Sequence, residues 1–449
     1  MPQSTRHPDK NTVFSIVSLG CHKNLVDSEI IAGTLAAAGF IPSFDLEAAE
    51  LLIINTCAFL PEARAEAEHE IEQAVSWKSL APGRKIAVCG CLCEYEASGE
   101  NHRRHPEVDL WVRVNDLNRL PELLAGAPPR GGEPDFLVSE EMPRLQFTLP
   151  HIAYLKIADG CNNCCSYCAI PRLRGRLRSR EIASVTAEAR RMVASGVREV
   201  VVIAQDTTAF GHDRPESGEN LAGLLRELDR IEGDFRLRLL YTHPANYTDE
   251  LISVLAGMKH LLAYIDIPLQ HISDRILTAM NRHVNRARIE ELIPRLRAAI
   301  PGLTLRTTFI TGLPGETETE FNELLEFARR IRFERLGVFP FAPEKLTPAA
   351  AFPAQVPLEI AEERAKILMK KQRDRMRRHN EKLIGTEMEM LIDFTEHDAA
   401  IGRSAMDAPE IDNCIVIPRP GRVRAGTFQQ VKIIGVSGSD LLGRIVRRK

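Results

Sequence analysis

No apolar run in the 449 residues is long enough to cross a bilayer, and the strongest, near 51–54 and 200–204, are of strand length. Residues 1–11 are polar, with no apolar run behind them, so they do not read as a secretory leader. A large net charge is also missing. The formal value is −3, so contact with nucleic acid would need a local patch instead of the field of the whole chain. The glycine-rich stretch Thr311-Gly312-Leu313-Pro314-Gly315-Glu316 lacks the Gly-Lys-Ser/Thr ending of a P-loop, which argues against a nucleoside triphosphate site. These absences predict a cytoplasmic protein with no membrane partner. The chain has room for about three domains and a core that needs no disulfide staple. Its ten cysteines therefore read as metal or redox ligands in a reducing compartment.

The densest cysteine pattern is Cys161, Cys165 and Cys168, a C-x3-C-x2-C triplet with Tyr167 just before the last thiol. A closed iron–sulfur site takes four cysteines, so three leave one iron of a four-iron cluster open to another ligand. A zinc knuckle would need four ligands, and no further His or Cys lies close enough along the chain. A ferredoxin-like carrier would have to draw its fourth cysteine from a distant segment. Cys164 offers an alternative C-x2-C-x3-C frame with Cys161 and Cys168. The pattern resembles the radical S-adenosylmethionine (SAM) superfamily. That resemblance implies a 4Fe–4S cluster whose open iron chelates SAM, with Tyr167 at the aromatic position of the motif and Cys165, not Cys164, as ligand.

Toward the N-terminus the spacing predicts strands over 13–19, 51–55 and 85–88 and helices over 25–38 and 62–75. Alternating strands and helices indicate βαβ units and a parallel sheet. Cys21, Cys57 and Cys91 each fall just beyond a predicted strand, where the carboxyl ends of a parallel sheet form a ligand-binding rim. A single such cysteine reads as an ordinary buried thiol; three at equivalent junctions point to a second three-cysteine cluster site. Cys89 and Cys93 compete with Cys91 on spacing alone. Residues 126–150 read as a linker or an ordered wrap.

From 152 onward, predicted strands at 152–157, 199–204, 236–241, 263–267, 303–310 and 335–341 alternate with helices, among them 221–231, 274–280 and 316–331. Six such units fit an incomplete parallel barrel, whose active site lies at the carboxyl ends of the strands. Cys161 follows the first strand. Gln205-Asp206-Thr207-Thr208, Gln270-His271 and the turn holding Gly312 and Gly315 follow later ones, and are expected to contact a cofactor. Arg172, Arg174, Arg176, Arg178 and Arg180 alternate, which predicts one cationic face toward an anionic ligand or partner, or else a solvated loop. A basic helix over 364–382 leads to short predicted strands at 387–394, 399–403, 414–417, 430–436 and 441–446, a small antiparallel barrel. Glu387, Glu389, Asp393, Glu396, Asp398, Asp407, Glu410 and Asp412 crowd its first half, predicting an acidic face suited to a basic protein partner.

Three segments, Ser18-Leu19-Gly20-Cys21-His22-Lys23-Asn24-Leu25-Val26-Asp27-Ser28-Glu29, Asn55-Thr56-Cys57-Ala58-Phe59 and Gly90-Cys91-Leu92, resemble the cysteine signatures of the methylthiotransferase N-terminal domain. The last small barrel is similar to a TRAM domain. Gly402-Arg403-Ser404, Asp407-Ala408-Pro409-Glu410-Ile411-Asp412 and Gln205-Asp206-Thr207-Thr208 resemble the branch of that family acting on ribosomal protein S-twelve. The resemblance spans essentially the whole chain. It implies an α/β fold in three domains, with an N-terminal domain at 11–126, a radical SAM partial (β/α)6 barrel at 147–383 and a TRAM barrel at 385–449. It implies two 4Fe–4S clusters, the auxiliary one on Cys21, Cys57 and Cys91, with Tyr167, Gln205, Gly312 and Gly315 toward SAM. The implied reaction transfers a methylthio group to the β-carbon of an aspartate. Its partners would be S-twelve or the small ribosomal subunit, an electron donor such as a flavodoxin, and a sulfur source. The alternative within the family is a transfer-RNA adenosine methylthiotransferase; outside it stands a non-catalytic iron–sulfur carrier or a zinc-stabilised RNA-binding module.

Overall fold

The computed structural model describes residues 11–96 and 103–446; residues 1–10 of the polar leading stretch and the last three of the chain lie outside them. Five parallel strands build the first sheet: β1 Val13–Ser18, β2 Ile41–Pro42, β3 Leu51–Thr56, β4 Lys85–Gly90 and β5 Leu110–Val112, in the spatial order β2-β1-β3-β4-β5. All six residues of β3 are buried, as a parallel strand covered on both faces requires. The strands β2 and β5 went unpredicted because two or three residues carry no readable period. Helix α1, His22–Ala37, starts earlier than its apolar pattern, directly after Cys21, and ends before Gly39, whose φ of +96° breaks the helix. Helix α2, Pro61–Ser79, begins with proline at its first turn, and α3, Cys91–Tyr95, starts on a cysteine.

The second sheet follows the predicted pattern strand for strand: β6 Ile152–Lys156, then, past the small antiparallel pair β7 Ala158–Asp159 and β8 Arg178–Ser179, β9 Glu199–Ile203, β10 Arg236–Leu239, β11 Leu261–Asp266, β12 Thr304–Thr311 and β13 Arg335–Pro340. The six parallel strands run in sequence order from β6 to β13 without closing. Side-chain alternation splits them between two cores. Ala153, Leu155, Val200 and Val202 pack in one core with the helices Leu221–Asp229 and Glu318–Ile331. Tyr154, Val201, Ile203 and Tyr264 belong to the other, together with Val26 and Ile30 of α1 and Ala408 from the C-terminal barrel. One apolar core is thus shared by all three parts of the chain.

Residues 126–150 form an ordered wrap. Buried Glu29 of α1 accepts from Arg144 Nε at 2.8 Å and Phe147 N at 2.7 Å, and Arg144 also reaches Glu188 at 2.7 Å. The helix Leu358–Leu383 then leads to a closed barrel of β14 Glu387–Thr395, β15 Ala399–Arg403, β16 Ile415–Pro418, β17 Phe428–Ser437 and β18 Asp440–Ile445. Its pairs are antiparallel except β16 with β18, which closes the barrel in parallel.

The predicted acidic face is corrected. Glu387, Glu389, Glu396, Asp398 and Glu410 are exposed, but Asp393, Asp407 and Asp412 turn inward, and those three and Glu410 have partners within the chain. Asp393 receives Arg403 Nε at 2.7 Å, Asp407 pairs with Arg335, Asp412 accepts from Tyr264 Oη at 2.6 Å, and Glu410 lies 3.3 Å from His22 Nε2. The loop after β15 thereby anchors the small barrel to the large one.

Candidate active site

A hydrogen-bonded lattice fixes the turns that carry Cys21, Cys57 and Cys91. Asn24 Nδ2 donates to Leu19 O at 2.8 Å and Asn55 O at 3.1 Å, while Asn55 Nδ2 donates to Asn24 O at 2.9 Å and Ser28 Oγ at 2.8 Å. Thr56 Oγ1 accepts from Leu92 N at 3.2 Å, seating the turn at Cys91. Gly20, at φ +83°, touches the next cysteine turn so closely that a Cβ there would stand 2.3 Å from Cys57 Cβ. The polar residues of the first cysteine segment are therefore buried struts: Asn24, Asp27, Ser28 and Glu29 are all fully inaccessible.

The two cysteine triplets converge. Cys21, Cys57, Cys91, Cys161, Cys165 and Cys168 all line one cavity of about 530 Å³ between the first sheet and the open barrel. Tyr167 and Gln205 line it too, as do Asp206 and Gln270. Cys164 reaches its edge, exposed and at φ +50°. Cys89 and Cys93 do not line it: their buried thiols face Ile54 O at 3.6 Å and Val88 O at 3.5 Å. Geometry thus separates Cys91 from the neighbours that spacing left level with it.

Gly312 and Gly315 are placed elsewhere. Neither lines the cavity: Gly312 N donates to Glu316 and a Cβ on it would meet Ala361 Cβ at 2.3 Å, while Gly315 N donates to Ala354 O at 2.7 Å. The missing side chain at Gly312 serves the approach of the helix Leu358–Leu383, while Gly315 supplies a turn at φ +81°. His271 is also outside, its Nδ1 accepting from Ser273 N at 3.0 Å.

The arginine run does not present one face. Arg172 and Arg176 are exposed, Arg180 is buried against Glu188, and Arg174 is buried in a four-charge network. Arg174 donates from Nε to Cys91 Sγ at 3.2 Å, from Nη2 to Asn24 Oδ1 at 3.0 Å and from Nη1 to Asp27 at 2.5 Å; Lys156 Nζ bridges Asp27 at 2.7 Å and Asp159 at 2.5 Å. The alternation failed because the turn Ile170–Leu173 and Gly175 interrupt the extended backbone.

Other lining residues escaped the sequence reading. Tyr241, Thr242 and His243 follow β10, where the strand-end rule that selected Gln205 would have found them. Arg282 had no local signal; it donates to Cys165 Sγ at 3.7 Å and to Pro268 O. Lys23 had only its place in a motif. Tyr241 and Gln270 hold φ of +59° and +72°, backbone strain concentrated at a ligand cavity.

The charges suit a thiolate-rich ligand site. Burial pushes the thiols of Cys91, Cys161 and Cys168 up to about 12, with Arg174 partly opposing this at Cys91. Metal ligation then requires proton release. Burial first, then Arg282 and His283, push His243 down to about 2, so its imidazole is neutral. Burial likewise lowers Lys23. Among the described residues no three His, Cys, Asp or Glu side chains converge on a single ion. Thiolates that bind the separate irons of a cluster surround a volume instead of a point, so this does not conflict with two triplets around one cavity. Gln205 Oε1 and Gln270 Oε1, both acceptors, and His243 Nε2, a donor because Nδ1 of the neutral ring accepts from Ala245 N at 3.2 Å, are buried at this cavity without partners, as groups awaiting a polar ligand. Donor chemistry and unmet polar atoms both fit clusters and SAM.

Comparison with known proteins places this geometry. Residues 13–113 match the model of the uncharacterized protein family UPF0004, residues 155–328 that of the radical SAM superfamily, and residues 384–446 that of the TRAM domain. Over 441 residues the chain is 41% identical to the ribosomal protein uS12 methylthiotransferase RimO of Geotalea uraniireducens, covering 96% of this chain and 98% of that one. Identity to the Syntrophotalea carbinolica protein of the same name is 42% over 442 residues, 96% of each chain. The chain belongs to the uS12 methylthiotransferase RimO family. Solved structures agree on the fold: the radical SAM methyltransferase TsrM of Kitasatospora setae, with tryptophan and a SAM analogue bound, superposes with a TM-score of 0.59 at 15% identity, over 76% of this chain and 75% of that one. A second TsrM structure, holding cobalamin and a 4Fe–4S cluster, gives 0.56 over 76% and 74%. The first match spans the first sheet, the second runs from the end of β6 past β12, and the third spans the closed barrel.

Proposed function

We propose that the chain is a radical SAM methylthiotransferase that modifies the β-carbon of an aspartate of ribosomal protein uS12. The observation that carries this reading is the convergence of two cysteine triplets on one cavity. Cys161, Cys165 and Cys168 would hold one 4Fe–4S cluster with SAM on its open iron, and Cys21, Cys57 and Cys91 the auxiliary one. Bound there, these groups would supply radical chemistry at an unactivated carbon and the methylthio group that it receives.

The chain's own residues arrange the encounter. Arg174 neutralises charge beside Cys91 and fixes that turn against α1 through Asn24 and Asp27. Asp206 holds the cluster loop by accepting from Asn163 Nδ2 at 2.7 Å. Gln205, Tyr167 and Gln270 face the cavity from the barrel side, where they would orient SAM. Gln205 itself is oriented by donating to Asp159 at 2.6 Å. The apolar rim of Phe59, Leu60 and Ile170 keeps water from the reacting atoms.

The reading divides the chain into a methylthiotransferase N-terminal domain at 11–126, a radical SAM core at 147–383 and a TRAM domain at 385–449. It requires a one-electron donor of flavodoxin type and a sulfur source, and it assigns the enzyme to the cytoplasm, where ribosomes reside. No helix among the described residues is long and apolar enough to cross a membrane. To test it, reconstituted enzyme, SAM and dithionite are incubated with uS12 or with transfer RNA. A mass increase of one methylthio group on uS12 is the expected result; modification of RNA alone would overturn the substrate assignment.

A further inference from the structure

The cavity contains three cationic side chains, Lys23, Arg174 and Arg282, and they differ in what they face. Each nitrogen of Arg174 has a partner, among Asp27, Asn24 and Cys91. Arg282 gives N–H groups to Pro268 O and Cys165 Sγ on the side of the Cys161 triplet. Lys23, 9% exposed, has no carboxylate within ion-pair distance among the described residues; its Nζ rests 3.2 Å from the centroid of the Tyr241 ring. The nearest acids are engaged elsewhere, Asp266 with Arg306 at 3.0 Å and Asp159 with Lys156. A buried ammonium with no counter-charge is costly unless a ligand provides one. The Tyr241 ring face, itself locked by His22 Nδ1 at 3.0 Å from its hydroxyl, stabilises a cation but leaves its N–H donors free.

Position narrows the ligand. Lys23 stands two residues from Cys21, on the auxiliary triplet's side, while Arg282 stands beside Cys165. A carbon that loses hydrogen to one triplet's cofactor and gains sulfur from the other must lie between them. On an aspartate that carbon is bonded directly to the carboxyl group. We propose that Lys23 binds the carboxylate of the target aspartate, setting the β-carbon between the two triplets and selecting an acidic residue over its amide. This rests on the uS12 reading above.

The test measures binding of two fluorescent uS12-loop peptides, with Asp or Asn at the target position, to the reconstituted holoenzyme without reductant. Wild type is expected to favour the Asp peptide by about 10- to 100-fold, the scale of a hydrogen bond to a charged group. Lys23→Gln is expected to bring that preference to within about twofold, and Lys23→Arg to retain it. An unchanged preference in Lys23→Gln would overturn the proposal alone. Equal affinity of wild type for both peptides would also overturn it, and needs no variant to fold. If wild type binds neither peptide, both this proposal and the uS12 reading fail together.

Discussion

Arg174 shows most clearly how a single side chain joins fold to chemistry. Its guanidinium connects α1 through Asp27 and Asn24, the barrel through the Lys156–Asp159 pair, and the proposed auxiliary site through Cys91. A donor and a positive charge beside a ligating sulfur both favour the reduced state of a cluster. Arg174→Gln is therefore expected to move the midpoint potential of the auxiliary cluster to a more negative value, followed by electron paramagnetic resonance during a redox titration. It should also destabilise the protein by about 3–5 kcal/mol, because Asp27 loses a buried partner. An unchanged potential would show that the contact with Cys91 has no electronic effect. Nothing in the sequence distinguished Arg174 from its four neighbours in the run: alternation described their spacing, whereas burial beside an acidic helix face is a tertiary fact. Lys23 was similarly hidden, since its meaning depends on the acids that do not reach it.

At the scale of elements, strand ends were legible and glycines were not. Cysteines placed by a βα junction do converge, because parallel strands bring their carboxyl ends to one rim. Gly312 and Gly315 also follow a strand, yet the first accommodates a helix and the second a tight turn, and no local pattern separates these uses of glycine from contact with a ligand. The acids of the last barrel posed the same difficulty: composition revealed their number but not that Asp393, Asp407 and Asp412 face inward. Among these joints, Glu199 at the start of β9 receives Arg238 Nε at 2.6 Å and Arg403 Nη1 at 2.9 Å, locking the large barrel to β15. Burial alone would raise its carboxyl, but the two guanidiniums prevail and hold it down to about 2. A folded-state value below the unfolded one stabilises at pH above about 4.5 and is lost as pH falls toward 2. The loss amounts to about 3 kcal/mol. Calorimetry of Glu199→Gln should show a midpoint lower than wild type at neutral pH but less steeply dependent on pH across that window. Parallel curves would contradict the pairing.

As a whole molecule, the chain encloses one reaction volume between an α/β sheet and an open barrel, and fastens a small barrel to the second by a loop that reaches the core of both. Ala408 shares a core with Val26 and Tyr154, and Glu410 reaches His22 beside Cys21, so the last domain contacts the shell of the proposed auxiliary site. The order of the three parts and the strand count of the large barrel were readable from periodicity. Their mutual packing was not, because contacts such as Tyr264 with Asp412 join residues 148 positions apart. The central claim is that each cysteine triplet holds its own cluster on this shared cavity. Its most direct test is anaerobic reconstitution of wild type, of Cys161/Cys165/Cys168→Ala and of Cys21/Cys57/Cys91→Ala, with iron counted in each. About eight irons in wild type and about four in either variant, with SAM cleavage lost only from the first, is the predicted result. Full iron in either variant, or cleavage surviving without Cys161, Cys165 and Cys168, would contradict it.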